Sequence, residues 1–374
     1  MPYPKIEPEE IRITPLERRQ SKSDIERIAI APENIPPRDK SIDSVVQETT
    51  TRIKNARACG AAVILAFGAH LVKNGLAPVV LKLMQDGWVT HIATNGAGGI
   101  HDWEFAWLGS SEEDVRANVA TGTFGAWAET GKYINLAVQV GALQGMGYGE
   151  SLGALIEEEK LDVPEEHQLE AEIKTSLAID NSYLAARSEL LQTVRKFNLP
   201  AGLWRISHPF KKYSIFAGAY RFGLPLTVHP GIGYDIIYNN PYANGAALGR
   251  AAHTDYKIFV KSMTNLSHGV FLSIGSAIMA PQVFEKALSF ANNLKLQLSE
   301  SIIHNHFIVV NDLQQATWDW SAGEPPKEAS DYYLRFLKSF YRMGGEVRYV
   351  AADNRAFLRQ LVHNLEPNKG KHSQ

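Results

Sequence analysis

The apolar positions of the chain follow two periods, and each change of period marks a new secondary-structure element. From residue 42 to residue 56, apolar and small residues recur at helical spacing, whereas residues 61–67 (AAVILAF) form a short continuous apolar run. A run of this length directly after a helix is typical of a strand buried on both faces of a parallel sheet. A second such run, VTHIATNG, follows the next predicted helix, so the first hundred residues predict a βαβ unit.

The alternation of strands and helices continues to the C-terminal region. Residues 122–161 and 176–199 have helical spacing, and a helix is predicted from Ser110 onward with Ser110 or Ser111 as its N-cap. Five further runs predict strands, namely AGLWRIS, PLTVHPGI, HGVFLSIG, FIVVND and EVRYVAAD, with helices at residues 246–264, 282–298 and 329–343. This order predicts an α/β fold with a doubly wound, mostly parallel, Rossmann-like sheet.

The predicted domain organisation is simple. Residues 1–40 are charged and rich in proline, which predicts an extended N-terminal arm. Residues 41–366 are predicted to form a single α/β domain of the nucleotide-binding type, and residues 367–374 a polar tail. The sequence contains neither an internal repeat nor a low-complexity linker.

Composition and charge exclude several classes of protein. Of the 374 residues, 45% are hydrophobic and 21% are charged, with a net charge of −2. This balance gives no electrostatic reason to expect nucleic acid or a membrane surface as a partner. The single cysteine, Cys59, excludes a disulfide within the chain, and we interpret it as a small buried residue. Because no signal peptide or long apolar segment is apparent, we expect a cytoplasmic protein. With no charge-based case for nucleic acid or a membrane, we expect its ligand to be a small molecule.

Glycine and polar residues follow most of the predicted strands. In open α/β sheets, ligands bind at the carboxyl ends of the strands, so these segments are expected to converge on one cleft. They are residues 67–70, 94–99, 229–233, 273–276, 311–312 and 352–354.

Two of these segments contain candidate chemistry. In NGAGGIH, glycines let backbone N–H groups approach an anion closely, but the same residues could form only a tight turn. In HPGIGYD, His229 is a candidate general base or substrate-binding residue that Asp235 would orient, but a Pro-Gly turn explains the segment equally well.

A metal site is a weaker hypothesis. His304 and His306 alternate on a predicted strand, so both imidazoles would share one face. A metal site needs three or four ligands, and no third ligand has a telling spacing. A pair of structural or substrate-contacting histidines is the preferred interpretation.

The order of five segments resembles that of deoxyhypusine synthase, an NAD-binding family with a Rossmann-like fold. The segments are GAHLVKNG at residues 68–75, GAGGIHDW at 96–103, NDLQQ at 311–315, DWSAGEPPKEA at 319–329 and ADN at 352–354. The resemblance extends over about residues 40–365, and it implies a homotetramer with sites at subunit interfaces.

Applied residue by residue, the resemblance implies NAD as the cofactor and a set of nucleotide contacts. These contacts are Gly68, Ala69, His70, Gly96, Ala97, Gly98, Asp102, Asp312, Asp353 and Asn354. It also keeps Glu328 as an acid on the substrate side, which joins His229 and Asp235 as a candidate catalytic residue.

The chemistry of the family does not extend to this chain. The family forms an imine on a lysine shortly after the segment that matches residues 319–329, and here Leu334 stands at that position. Arg335 stays protonated and cannot form an imine. The sequence therefore predicts that the chain does not make deoxyhypusine.

Three hypotheses of function remain open. The first is an NAD-dependent enzyme, a transferase or oxidoreductase, that acts on an unidentified small substrate. The second is a paralogue without catalysis that acts as a nucleotide-binding or regulatory subunit. The third is a metal-dependent hydrolase that uses His304 and His306.

Overall fold

The computed structural model describes residues 3–34, 38–178 and 183–365, so the predicted polar tail lies outside the described residues. The described strands are β1 (Ser23–Asp24), β2 (Val63–Phe67), β3 (His91–Thr94), β4 (Ser110–Ser111), β5 (Lys160–Val163), β6 (Gly202–Arg205), β7 (Leu226–Val228), β8 (Val270–Ile274), β9 (Phe307–Asp312) and β10 (Glu346–Ala351).

The described α-helices are α1 (Ile25–Ile28), α2 (Asp43–Ala58), α3 (His70–Lys73), α4 (Ala77–Gln85), α5 (Gly96–Leu108), α6 (Val115–Thr121), α7 (Ala128–Gly141), α8 (Tyr148–Glu158), α9 (Glu166–Ala178), α10 (Leu184–Phe197), α11 (Ile215–Arg221), α12 (Gly245–Met263), α13 (Met279–Gln297), α14 (Arg335–Arg342) and α15 (Asn354–Asn364). Short 3-10 helices span Pro8–Glu10, Leu16–Arg18, Ala142–Gln144, Lys211–Tyr213, Ile236–Tyr238, Trp320–Ala322 and Ser330–Tyr333. None of the helices in the described residues is both long enough and apolar enough to cross a membrane.

The chain forms two compact units. The first unit comprises Met1–Arg27, Gly99–Tyr220 and Pro230–Asp255, and the second comprises Ile28–Gly98, Arg221–His229 and Tyr256–Gln374. That residues 41–366 act as one domain stays a prediction.

The second unit contains a six-stranded sheet in the order β10-β9-β8-β2-β3-β7, and all of its strand pairs are parallel. Counted along the chain, the strands lie in the order sixth, fifth, fourth, first, second, third. This is the strand order of dinucleotide-binding Rossmann domains. The α/β, Rossmann-like fold predicted from the sequence is therefore confirmed.

Helices cover the sheet on both faces, which explains why the central strands are apolar throughout. Every residue of β2 and β8 is buried. Alternate strand residues such as Ile64, Phe271 and Ile308 pack with apolar residues of α12, α13 and α14. Helix α2 contacts β2 and β8, and α15 contacts β9, so these two helices cover the opposite face.

The first unit is mainly helical, with two short antiparallel sheets. Strand β5 pairs with β6, and β1 pairs with β4. The run AGLWRIS therefore forms β6 in a separate small sheet, while β5 lies in a stretch that the sequence predicted to be helical. Helix α6 is capped by Asp114, whose side chain accepts a hydrogen bond from Ala117 N, rather than by Ser110 or Ser111, which form β4.

The N-terminal region is packed into the first unit. Leu16 and Ile25 are fully buried, and Arg19 forms a buried ion pair with Glu104 at 2.8 Å. The described residues between 3 and 40 form two 3-10 helices, a short strand and a short α-helix, because the prolines interrupt a continuous helix without preventing local turns. Cys59, interpreted from the sequence as buried, is exposed at the end of α2.

Candidate functional site

The candidate site lies at the carboxyl edge of the six-stranded sheet in the second unit. The chain leaves β2 toward β3 on one side, and β8 lies on the other side, so the strand order reverses between β2 and β8. Loops that leave two strands in opposite directions open a crevice at this switch point, and this crevice is where open α/β sheets bind their ligands.

Two glycines lie side by side at the switch point. The register pairs Phe67 with Ile274, which makes Gly68 and Gly275 the next residues on adjacent strands. A Cβ on Gly68 would lie 2.1 Å from the carbonyl oxygen of Gly275, so only glycine permits this approach. Gly275 has a positive φ of 57°, and a Cβ there would meet nothing closer than Asn354 Nδ2 at 4.0 Å. The backbone at Gly275 therefore borders open space.

An asparagine pair ties two loops together beside these glycines. Asn74 Nδ2, at the end of α3, donates to Asn354 Oδ1 at the start of α15, over 2.8 Å. Asn354 is one of the predicted nucleotide contacts, and Ala69 and His70 begin the same short helix α3. Asn311, at the end of β9, donates through Nδ2 to the carbonyl oxygens of Val350 and Ala352. These two bonds fix the orientation of the amide, and its Oδ1 can still accept a hydrogen bond.

Two carboxylates lie at the ends of β9 and β10. Asp312 Oδ1 accepts from the backbone N–H groups of Leu313 and Gln314, at 2.8 and 3.1 Å. Asp353 caps α15 by accepting from Arg355 N and forms an ion pair with the Arg355 side chain at 2.6 Å. Arg355 lowers the pKa of Asp353, which is therefore ionised at neutral pH. Both acids lie at the carboxyl ends of their strands, as predicted, and each already accepts hydrogen bonds from one or two residues that follow it in the chain.

The glycine segment after β3 starts a helix. Gly98 N donates to the backbone and side-chain oxygens of Asn95, at 3.1 and 2.9 Å, so Asn95 caps α5. A Cβ on Gly98 would lie 2.2 Å from Thr94 Oγ1. Gly98 is thus required for packing against the strand end, and its N–H is used within the loop. Contacts of Gly96 and Ala97 with a nucleotide stay predictions.

His229 lies at the end of β7, an edge strand two positions from β2. At the usual strand spacing this offset is roughly 10 Å. Its Nε2 is 3.0 Å from Thr227 Oγ1, and its ring packs edge-on against Phe259. Burial lowers the pKa of His229 to about 3, so the imidazole is neutral at physiological pH. The partner that orients Nε2 is therefore Thr227, where the sequence predicted Asp235.

Three further predicted site residues, Asp102, Asp235 and Glu328, lie outside the strand ends described above. Asp102 belongs to the first unit, where its buried carboxylate accepts from Ser214 Oγ and from the N–H groups of Ile215 and Phe216. Asp235 also belongs to the first unit and accepts from Gly231 N at 2.5 Å, and burial raises its pKa. Glu328 belongs to the second unit and is exposed in the loop before α14. The roles predicted for these three residues in a ligand site stay predictions.

Apolar packing surrounds Leu334, the residue at which deoxyhypusine synthases have a lysine according to the sequence resemblance. Leu334 lies between the 3-10 helix Ser330–Tyr333 and α14, and it packs against the core of the second unit. Nearby, Lys338 Nζ lies 3.6 Å from the centre of the Tyr332 ring.

The two histidines of the metal hypothesis do not share a strand face. Strand β9 begins only at Phe307, and Asn305 between the histidines has a positive φ of 53°, which breaks the alternation. His304 is exposed, whereas His306 is buried. Within residues 3–34, 38–178 and 183–365, no group of three or more histidine, cysteine or acidic side chains is arranged to hold a metal ion.

Sequence reasoning missed several residues that shape the site. Asn74 has no motif of its own, and His91 lies at the start of a strand, away from the segments at the strand ends. Asn311 was in a strand-end segment, but its bonds to Val350 and Ala352 depend on the neighbouring strand β10. Gly275 was in a strand-end segment, but its role depends on the neighbouring strand, which the sequence does not identify.

Comparisons with solved structures find distant similarity over most of the chain. The arginine dihydrolase ArgZ of cyanobacteria is 13% identical over 87% of this chain, with a TM-score of 0.40. A candidate LOR/SDH protein of Methanococcus maripaludis S2 is 14% identical over 90% of this chain and 73% of its own, with a TM-score of 0.42. A candidate deoxyhypusine synthase of Entamoeba histolytica is 9% identical over 86% of this chain and 87% of its own, with a TM-score of 0.39.

AgrE, in its ternary complex with ornithine and NAD+, is 12% identical over 88% of this chain, with a TM-score of 0.41. The chain spans only about a third of these two proteins, namely 33% of the length of ArgZ and 34% of the length of AgrE. No family model matches the sequence, and no curated protein matches it. Identities and TM-scores this low assign neither substrate nor cofactor.

Proposed function

We propose that the second unit binds NAD or a related dinucleotide at the carboxyl edge of its sheet and that His229 acts there on a small substrate. The observation that supports this most directly is the strand order, whose reversal between β2 and β8 coincides with the paired glycines Gly68 and Gly275. Dinucleotide-binding sheets use the same crevice and the same residue type, because glycine lets the backbone approach a pyrophosphate.

The surroundings of the switch point fit a dinucleotide. The backbone at Gly275 borders open space that a side chain would fill. Asp312 and Asp353 lie at the ends of β9 and β10, where carboxylates can accept hydrogen bonds from ribose hydroxyls. Lys73 and Arg355 are adjacent in sequence to the hydrogen-bonded Asn74 and Asn354, and Arg355 already forms an ion pair with Asp353, so Lys73 is the candidate cation for the phosphates.

The remaining polar group at this edge is suited to proton transfer. His229 is a neutral imidazole whose Nε2 is held by Thr227, which leaves Nδ1 to accept a proton or a hydrogen bond. A bound NAD would supply a hydride acceptor, and His229 would hold the proton that a substrate hydroxyl or amine releases.

Titration of the purified protein with NAD, NADH and ADP-ribose in a calorimeter tests the proposal. We expect saturable binding in the micromolar range and a rise in melting temperature, because a ligand that binds only the native state stabilises it. An absence of both heat and melting shift at millimolar ligand would overturn the proposal.

A pair of glycine variants tests the location of the site. Gly275→Ala places a methyl group at the switch point, and we expect it to weaken NAD binding about tenfold, which is roughly 1.4 kcal/mol. Gly223→Ala is the matched control, because Gly223 also has a positive φ, 62°, and open space around it, but it precedes β7. Equal losses in both variants would indicate backbone strain rather than a lost contact.

Leu334 favours a second candidate, a nucleotide-binding or regulatory subunit without catalysis. Such a subunit would bind NAD as tightly as an enzyme, but no substrate would change NAD into NADH in its presence. We also propose that the protein forms a homotetramer, which light scattering tests, and that it is located in the cytoplasm.

A further inference from the structure

Four polar side chains of the second unit form a continuous hydrogen-bonded series that begins on α12 and ends after β7. Ser262 Oγ is 2.8 Å from His91 Nδ1, and His91 Nε2 is 2.9 Å from Thr227 Oγ1. Thr227 Oγ1 is in turn 3.0 Å from His229 Nε2. We call these four residues the relay.

The relay runs along one face of the sheet, from the amino ends of the strands toward their carboxyl ends. His91 is the first residue of β3, whereas His229 directly follows β7 at the carboxyl edge. Thr227 is paired with Ala93 in the register, so its side chain lies on the same face as those of Ala93 and His91. The two inner members, His91 and Thr227, are fully buried, while the two ends, Ser262 and His229, are partly exposed.

The two inner members of the relay are shielded from water, and an aromatic ring covers both imidazoles. The Phe259 ring packs edge-on against both imidazoles, with ring centroids 5.3 Å from His91 and 5.2 Å from His229. Burial lowers the pKa of both histidines to about 3, and His229 further disfavours a charge on His91. Both imidazoles are therefore neutral at physiological pH, and each has one N–H and one lone pair.

Neutral imidazoles allow the series only two arrangements of protons. In the first, His229 Nε2–H donates to Thr227, Thr227 donates to His91 Nε2, and His91 Nδ1–H donates to Ser262. In the second, every donor and acceptor is exchanged, and His229 Nδ1 bears the proton. Mixed arrangements leave a buried donor facing a donor, or an acceptor facing an acceptor, which costs at least one hydrogen bond.

We propose that Ser262, His91, Thr227 and His229 form a proton relay that sets the tautomer of His229 and connects its Nδ1 with solvent at Ser262. In the first arrangement His229 Nδ1 accepts a proton from a hydroxyl or ammonium group at the carboxyl edge. The Nε2 proton of His229 moves to Thr227, the Thr227 proton moves to His91 Nε2, and the Nδ1 proton of His91 moves to Ser262. Ser262 passes its own proton to water, so one proton enters, one leaves, and no buried cation remains.

This inference deepens the proposed function, on which the role of His229 as a base rests. His91, Thr227 and Ser262 are positioning residues, because they act through His229. The coupling between the two ends is a property of the protein without any ligand. It is therefore measurable whether or not NAD binds, and failure of the relay is distinguishable from failure of the nucleotide proposal.

Nitrogen NMR of the full chain, labelled with ¹⁵N in its histidine rings, tests the relay. The ring signals of His91 and His229 are assigned from the spectra of His91→Gln and His229→Gln. We expect both rings to be neutral across the range from about pH 5 to about pH 8. Ser262→Ala removes the hydroxyl at the far end, and we expect a changed tautomer ratio at His229 although the two residues do not touch.

Thr227 variants supply the control. In Thr227→Val the hydroxyl link is missing, so adding Ser262→Ala should leave the His229 tautomer ratio unchanged. Thr227→Ser keeps the hydroxyl, and Ser262→Ala should again shift His229 in that background. If Ser262→Ala alters the His91 signals but not those of His229 in the otherwise native protein, the relay is disproved, and this holds even if Thr227→Val fails to fold.

Discussion

The carboxylate of Asp102 accepts a hydrogen bond from the backbone N–H of Ile215 over 2.8 Å, and this contact caps the first turn of α11. Ser214 Oγ donates to the same carboxylate at 2.5 Å. Asp102 is only 1% exposed, and both of its oxygens accept hydrogen bonds at the start of this helix. An acid placed by resemblance among the nucleotide contacts therefore has a structural explanation in the first unit.

The stability of the protein should depend on pH through Asp102. Burial raises its pKa to about 7 from 3.8. The folded carboxyl therefore keeps a proton that the unfolded chain has lost, and its stabilising effect, complete below about pH 4, disappears as the pH rises through 7. Asp102→Asn mimics the protonated acid. The free energy of unfolding of the variant minus that of the native protein should therefore increase by up to about 4 kcal/mol between about pH 4 and about pH 8.

Urea unfolding of both proteins at a series of pH values measures this difference. Other carboxylates titrate in both proteins, so only the change in the difference between them reports Asp102. A difference that is constant across this pH range would contradict the prediction and indicate an ordinary pKa for Asp102.

The buried ion pair between Arg19 and Glu104 should contribute to stability only as long as both partners are present. Both side chains are almost completely buried, and Glu104 also accepts from Thr130 Oγ1 and Ser111 Oγ. Arg19→Met leaves the Glu104 carboxylate buried without its cation, so we expect a loss of about 3–5 kcal/mol in free energy of unfolding.

A surface ion pair of the same unit is the matched control. Arg195 and Glu166 are each about half exposed, and Arg195→Met should cost less than about 1 kcal/mol. Chemical denaturation measures both variants. Similar small losses would mean that the N-terminal region is not fixed to the first unit through Arg19.

Gly98 should be required for packing rather than for a ligand. Alanine at this helical position introduces a Cβ 2.2 Å from Thr94 Oγ1, so Gly98→Ala should destabilise the protein by about 1–3 kcal/mol. Adding Thr94→Ala removes the obstructing atom and should recover part of the loss relative to Thr94→Ala alone. Thermal unfolding of the three variants and the native protein measures this coupling.

A glycine in open surroundings serves as the reference. Gly249, within α12, would meet nothing within 4 Å of an added Cβ, so Gly249→Ala should stabilise the protein by about 0.5–1 kcal/mol. If Gly98→Ala proves as stable as the native protein but binds NAD poorly, Gly98 contacts the ligand and the packing explanation is wrong.

The sequence predicted those parts of the fold that depend on local pattern. The runs that became β2 and β8 were recognised because strands buried on both faces are apolar without alternation. Strand β5 was missed because KLDV is short and follows the strongly helical residues of α8. Strand β6 was recognised as a strand, but its pairing with β5 depends on contacts distant in sequence.

The site was predicted less completely, because it depends on strand order. Gly68, Asp312, Asp353 and His229 could be named as candidates because each lies at the end of a recognisable strand, and their contacts with a ligand stay predictions. The sequence could not reveal that β8 lies beside β2, which makes Gly275 the neighbour of Gly68. Resemblance placed Asp102 at the site, whereas burial and helix capping explain its position.

The chain should not transfer an aminobutyl group from spermidine to a protein lysine. Leu334 packs against the core of the second unit, and the nearby Lys338 ammonium lies over the Tyr332 ring. Incubation with radiolabelled spermidine, NAD and the acceptor protein of deoxyhypusine synthase should give no labelled protein, while a lysine-bearing deoxyhypusine synthase in the same mixture labels it. Leu334→Lys should not create the activity either, because a lysine in this apolar packing cannot turn toward the switch point without losing its contacts. Label incorporated by the native chain would show that another amine can form the imine, and Lys338→Met would then identify whether that amine is Lys338.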